Sequence, residues 1–303
     1  MTKENVYETV TNKIISDLEK GQLTWRKPWN SGNLQNHIMR PMRSNDIPFT
    51  GINTILLWAA AAEKNYNSAC WITFKQAQNL RANVRKGEKG TQIIYADKFE
   101  KELQLPNGQK EIEKIPFLKM YTVFNIEQIE NLPASFLEVT EPKYFPNPEE
   151  RMQDVEHFFA ETKANIFTGA EAAYYPQMDR IAMPPFESFD NAISYYGTLA
   201  HEVAHWTGHA SRLNREFHSR SSNKIGYAKE ELIAELSACF LAAELGIEPK
   251  TEINHSAYIQ SWLKHLKDDK KFIFQAATQA QKAVEFLNTL QPAAKTVSQK
   301  LTI

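Results

Sequence analysis

Cysteine is almost missing from this chain: Cys70 and Cys239 stand far apart among 303 residues and belong to no CxxC pair. That excludes a disulfide framework and a cysteine-built zinc site, and both are expected as buried apolar fillers. No stretch approaches the roughly 18 apolar residues needed to cross a bilayer, so no membrane partner is expected. The opening MTKENVYETVTNKIISDLEK has neither the apolar core nor the small-residue cleavage site of a secretory signal, and a cytoplasmic location is the expectation. Excess charge is lacking too, the formal balance being -1. Any nucleic-acid surface therefore has to come from local clustering.

The remaining composition, 42% hydrophobic and 23% charged, is that of a globular protein, on a chain about twice the usual domain size. The expected fold class is α+β in two domains, residues 1–135 and 151–303. A proline-rich linker is expected over 136–150, in a stretch from about 131 to 150 where Pro133, Pro142, Pro146 and Pro148 crowd together. In the first half, Val6, Val10, Ile14, Ile15 and Leu18 fall at helical spacing, and a polar loop with Pro28, Gly32 and Pro41 follows. Ile52–Ala62 is apolar nearly all round and reads as a buried helix. Strands over Gln92–Ala96 and Phe117–Phe124 are expected to pair across a hairpin around Pro106, Asn107 and Gly108. In the second half, Glu171–Tyr175 and Arg180–Met183 read as short strands, and residues 191 to about 290 as mostly helix.

The chemistry-bearing motif is LAHEVAHWTGH. Residues four apart on a helix share a face, so His201 and His205 can present ring nitrogens to one ion. Glu202 then projects beside the metal, placed to take a proton from bound water and return it to a leaving amine. The helix is expected to start after Tyr195, Tyr196 and Gly197. A third ligand is needed, and the position six residues past His205, where the long metzincin pattern has histidine, is Ser211. The other common solution is a glutamate on a following helix. Glu231-Leu-Ile-Ala-Glu235 resembles the arrangement of glutamate-zincin families, which implies Glu231 as ligand and Glu235 as the residue supporting a ligand histidine or, in the shifted register, as the ligand itself. Glu230 reads as a solvated face residue, Tyr227 as a candidate to polarise a substrate carbonyl, and His209 and His218 as surface residues. Zinc is the default metal for such a set, with manganese or cobalt as alternatives.

A basic cluster, Lys75, Arg81, Arg85, Lys86 and Lys89, faces the single acid Glu88, and Gly87 and Gly90 would let backbone amides approach phosphates. Trp25, Trp29, Phe49, Trp71 and Phe74 are candidates for stacking on unpaired bases. The alternative reading makes those tryptophans core and the turn a solvated hairpin.

Taken together, TWRKPW, FTGINTILLW, WITFKQAQ and VRKGEKGTQIIY in the first half, with LAHEVAHWTGHASRLNR, YAKEELIAELSACFL and SWLKHLKDDKKFIFQAATQAQKA in the second, resemble the ArdC antirestriction family. The resemblance implies an N-terminal single-stranded-DNA-binding domain and a C-terminal zincin-like metallopeptidase domain, carried by conjugative plasmids. It implies protection of incoming DNA from host restriction endonucleases. The alternative is a working zinc metallopeptidase that cleaves a host protein or restriction enzyme, with the N-terminal half used for delivery. Where the family commonly carries a glycine pair, this chain has Arg81-Ala82-Asn83, which implies a stiffer loop.

Overall fold

The computed structural model describes residues 3–21, 23, 25, 39–104, 110–134, 148–216, 223–247 and 255–292. Trp29, Pro28, Gly32, His218, the hairpin tip at 105–109 and most of the expected linker lie outside these residues. The exception in the linker is its end: Pro148 occupies the first turn of a helix, where its missing N–H costs nothing, so Pro148–Glu150 is helical.

Helix α1 (Lys3–Glu19) buries the five apolar residues that define its face, each at most 7% exposed. Helix α2 (Ile52–Lys64) is buried from Thr54 through Ala61, because it is enclosed rather than laid on a surface. Strand β1 (Trp71–Thr73) leads into α3 (Phe74–Asn79), whose start is a capping box between Thr73 and Gln76. Strand β2 (Asn83–Val84) pairs with a later strand, β5 (Ile129–Glu130). Between them, β3 (Thr91–Gln104) and β4 (Lys110–Asn125) form a long antiparallel ribbon, ordered β1-β4-β3. Both expected strands fall inside it, and each continues well beyond its predicted span.

The turn after α3 is a Schellman motif: Ala82 N–H donates to Ala77 O and Arg81 N–H to Gln78 O. Its left-handed position is Arg81, at φ 59. A glycine there relieves the Cβ clash at some cost in unfolded-state entropy. Arg81→Gly is therefore expected to raise stability by about 0.5–1 kcal/mol, seen as a higher urea midpoint at unchanged slope. An unchanged or lower midpoint would contradict this.

In the second half, α4 (Pro148–Glu161) precedes a three-stranded sheet of β6 (Asn165–Thr168), β7 (Ala173–Tyr175) and β8 (Arg180–Met183), in the order β6-β8-β7. β6 runs parallel to β8 and β7 antiparallel. Helices α5 (Ala192–Trp206), α6 (Lys224–Leu245), α7 (His255–Asp268) and α8 (Phe272–Thr289) complete it. Helix α5 starts six residues earlier than expected, because Asn191 caps it by accepting from Ser194 N–H at 2.9 Å.

The two halves are chemically distinct segments of one α+β, two-domain chain, yet most of their buried apolar side chains join in one cluster. Trp58 of α2 packs on Phe240 of α6 at 5.7 Å, and Trp25 on Trp262 of α7 at 6.3 Å. Thr11 donates to Lys270 O at 2.7 Å. Arg40, itself buried, ion-pairs with Glu244 and donates to Gln281 at 2.6 Å. Cys70 and Cys239 are both buried and form no disulfide with each other.

Candidate metal centre

Helix α5 carries His201, Glu202 and His205, all of them buried or nearly so, against α6. One helical turn brings the two Nε2 atoms to 3.2 Å. Glu231, on α6, places Oε2 at 3.7 Å from His201 Nε2 and Oε1 at 3.7 Å from His205 Nε2. The three donor atoms lie within 4.8 Å of one another. Two ligands at about 2.05 Å on a tetrahedral ion would sit about 3.3 Å apart, so this donor set fits a divalent metal with little movement.

Behind the donors lies a network that sequence reasoning missed. His205 Nδ1 meets Glu230 Oε1 at 3.1 Å. Arg215, in the loop after α5, donates to both Glu230 oxygens, at 3.0 Å from Nε and 2.8 Å from Nη2. The same guanidinium reaches Ala204 O at 2.7 Å and Thr207 Oγ1 at 2.9 Å, closing the C-terminal end of the helix. Glu230 is therefore not a solvated face residue: it is 6% exposed and orients a candidate ligand. Glu235 is buried one turn further on, where Cys239 Sγ approaches its carboxylate at 4.0 Å; Glu230, not Glu235, supports His205. Tyr227 shares a 3.0 Å contact with Tyr258 Oη, and burial, helped by the nearby Glu231 charge, pushes its pKa up. Its hydroxyl thus has a partner already. A neighbouring clasp holds the loop to the sheet: Arg212 stacks on Trp206 at 3.9 Å and ion-pairs with Asp179, which also accepts from Tyr174 at 2.9 Å.

Charge follows this geometry. Burial works to lower the His205 pKa, but the Glu230 hydrogen bond and the charges of Glu231, Glu230 and Glu202 outweigh it and raise it to about 9. Burial works to raise Glu231, yet the His201 contact and the two histidine charges bring it down to about 2. Metal must displace the His205 proton, so affinity should climb with pH up to about 9 instead of levelling above the ordinary histidine value. In the metal-free protein the linkage has the opposite sense. A raised folded pKa stabilises fully below about 6.5 and is lost as pH rises through about 9. Glu230→Gln is expected to weaken metal binding about 10- to 100-fold and to move that pH rise toward neutrality, measured by competition with a chromogenic chelator. Unchanged affinity and pH profile would remove Glu230 from the site.

The expected nucleic-acid residues are less well gathered. Trp25, Phe49 and Trp71 are 1%, 3% and 1% exposed, so their rings are committed to the core and offer no face to a base. Lys75, Arg81, Arg85, Lys86 and Lys89 are exposed. Arg85, however, is bound to Glu127 O and lies 3.4 Å from Glu88. Gly90 lacks room for a Cβ, which would sit 2.4 Å from Thr122 Cγ2 and 2.8 Å from Val123 O, so its bareness serves packing on β4 and not a phosphate. Gly87 is open and has φ 92.

Comparisons with known proteins match two separate stretches of the chain. Residues 4–124 match the model of the N-terminal domain of anti-restriction factor ArdC, and residues 153–279 that of a zincin-like metallopeptidase. The metal-free crystal structure of the antirestriction ArdC protein from plasmid R388 is 45% identical, with TM-score 0.77, covering 94% of this chain and 97% of that one. Its Mn(II)-bound structure gives 44% and 0.75 over the same shares. An uncharacterized protein, y4eC, of Sinorhizobium fredii is 33% identical over 96% of this chain and 94% of its own length. A DNA primase TraC of Escherichia coli is 35% identical over 94% of this chain, which spans 20% of that primase. No described helix is long and apolar enough to cross a membrane.

Proposed function

The chain belongs to the ArdC antirestriction family, and on that premise we propose that it binds single-stranded DNA and protects incoming plasmid DNA from host restriction endonucleases. Its second half holds a divalent metal, zinc by donor chemistry with manganese or cobalt also accommodated, through His201, His205 and Glu231. The observation that carries this reading is the joint presence of both family segments, in order, with the His-His-Glu donors converging in the second. The domain bounds 1–135 and 151–303 are part of the same proposal.

A divalent ion at such a site supplies Lewis acidity and brings the pKa of water toward neutrality. The chain's own residues do the rest. Arg215 and Glu230 fix the His205 ring through Nδ1, leaving Nε2 turned toward His201. Tyr227 favours the charged form of Glu231. Glu202, buried next to His201 in sequence and not one of the three donors, is the carboxylate that would take a proton from bound water. That last feature favours a second reading, a working peptidase acting on a host protein.

The test of protection is transfer of unmodified plasmid DNA into restriction-proficient and restriction-deficient recipients, with and without the gene. Higher transfer into the proficient recipient alone is expected; equal transfer would overturn the proposal. Binding of single strands is expected to weaken with salt, each phosphate contact adding about -0.7 to the logarithmic slope, so three contacts lose roughly twentyfold from about 50 to 200 mM. A flat titration would contradict charge-led binding.

A further inference from the structure

Trp25, Phe49 and Trp71 are buried and offer no stacking surface, but the β3–β4 ribbon carries one that no residue pattern above selected. Its register sets Ile93 opposite Tyr121, Tyr95 opposite Lys119 and Asp97 opposite Phe117, so these side chains share one face of the sheet. The opposite face is spent on packing: Ile94 is buried, and its backbone is clasped by Asn53 of α2 at 2.7 and 2.8 Å. On the open face Tyr95 is 46% and Tyr121 45% exposed. Their rings meet edge to face at 5.7 Å, and Tyr95 meets Phe117 at 6.3 Å. Lys119 Nζ stands 5.1 Å over the Phe117 ring, and Tyr95 Oη donates to Asp97 at 2.6 Å, fixing that ring and occupying the nearby carboxylate.

We propose that Tyr95, Phe117 and Tyr121, with Lys119, form a stacking platform for unpaired bases, and that the basic turn at the foot of the ribbon takes the phosphates. This rests on the single-strand reading above and names the surface that serves it. Phe117 and Tyr121 are four residues apart on one strand, about 13 Å, enough for a run of bases and not one alone. The paired strand β3, which carries Tyr95, begins directly after Lys86 and Lys89, which are exposed, and Lys64 is anchored to the same turn through Lys89 O at 2.6 Å. Aromatic faces beside a cationic turn suit a flexible polyanion with exposed π-faces. A duplex, whose bases are already stacked, cannot use them.

The test uses full-length protein and a fluorescein-labelled deoxythymidine oligonucleotide, followed by anisotropy beside a duplex of equal length. Tyr95→Ala with Tyr121→Ala is expected to weaken single-strand binding at least tenfold and to leave duplex binding unchanged. Tyr95→Phe with Tyr121→Phe is expected to retain it, which separates the platform from a folding defect. If wild type binds the single strand and the alanine pair binds it equally well, the platform is overturned while the single-strand reading stands. If wild type binds no strand even at low salt, that reading falls and the platform with it. Self-association by sedimentation that the alanine pair abolishes, without any loss of DNA affinity, would assign the face to a second copy and also overturn the proposal.

Discussion

Glu231→Ala is expected to empty the metal centre. Loss of a residue that merely orients a ligand costs about 10- to 100-fold in affinity, and loss of a ligand itself should exceed that, reaching at least about 100-fold. The geometry adds to the effect. Glu231 is the carboxylate that faces both His201 Nε2 and His205 Nε2 at 3.7 Å, so its removal leaves two imidazoles and no anionic donor between them. Metal content after dialysis, by mass spectrometry, is the measurement. Near-stoichiometric metal in Glu231→Ala, with loss in Glu235→Gln, would move the ligand to the other register. The structure predicts the reverse, because Glu235 lies one turn away beside Cys239.

Glu202→Gln separates chemistry from binding. Glutamine keeps the size of the side chain and removes its capacity to accept a proton, and Glu202 is not among the three converging donors. Metal content and single-strand affinity are therefore expected to stay within about twofold of wild type, while any peptide hydrolysis falls by about 10²- to 10⁴-fold. Protection of unmodified DNA is expected to persist, since the proposed function places it in the DNA-binding half. Loss of protection with metal intact would instead favour the peptidase reading.

Much of this site was legible in the residue pattern. The His201–His205 spacing alone dictates a shared helical face, and their Nε2 atoms do converge. Glu231 required the choice of a second helix, which the resemblance narrowed. Glu230 reads as solvated because Lys229-Glu230-Glu231 looks like a polar face, and nothing local announces that α6 is packed along most of its length. Arg215 had no spacing signal at all: it arrives from a loop and acts through space on a residue 15 positions later.

The N-terminal half shows the opposite error. Tryptophans read as stacking residues, but their large apolar area makes them better core, and Trp25, Trp58 and Trp71 supply it. A period-two reading of Ile93, Tyr95 and Asp97 against Phe117, Lys119 and Tyr121 would have exposed the aromatic face. The ribbon's length had no such cue, since its outer half carries mostly charged residues that do not read as a strand. The shared core was likewise hidden: a proline-rich stretch suggests separable domains, whereas Trp58–Phe240 and Arg40–Glu244 tie the halves together.

The most direct measurement is single-strand against duplex affinity of the full-length protein, with metal content determined on the same sample before and after chelation. The account predicts preference for single strands, a divalent ion that the chelator removes, and single-strand binding that survives its removal. A tightly held metal in a protein that binds no DNA would contradict it.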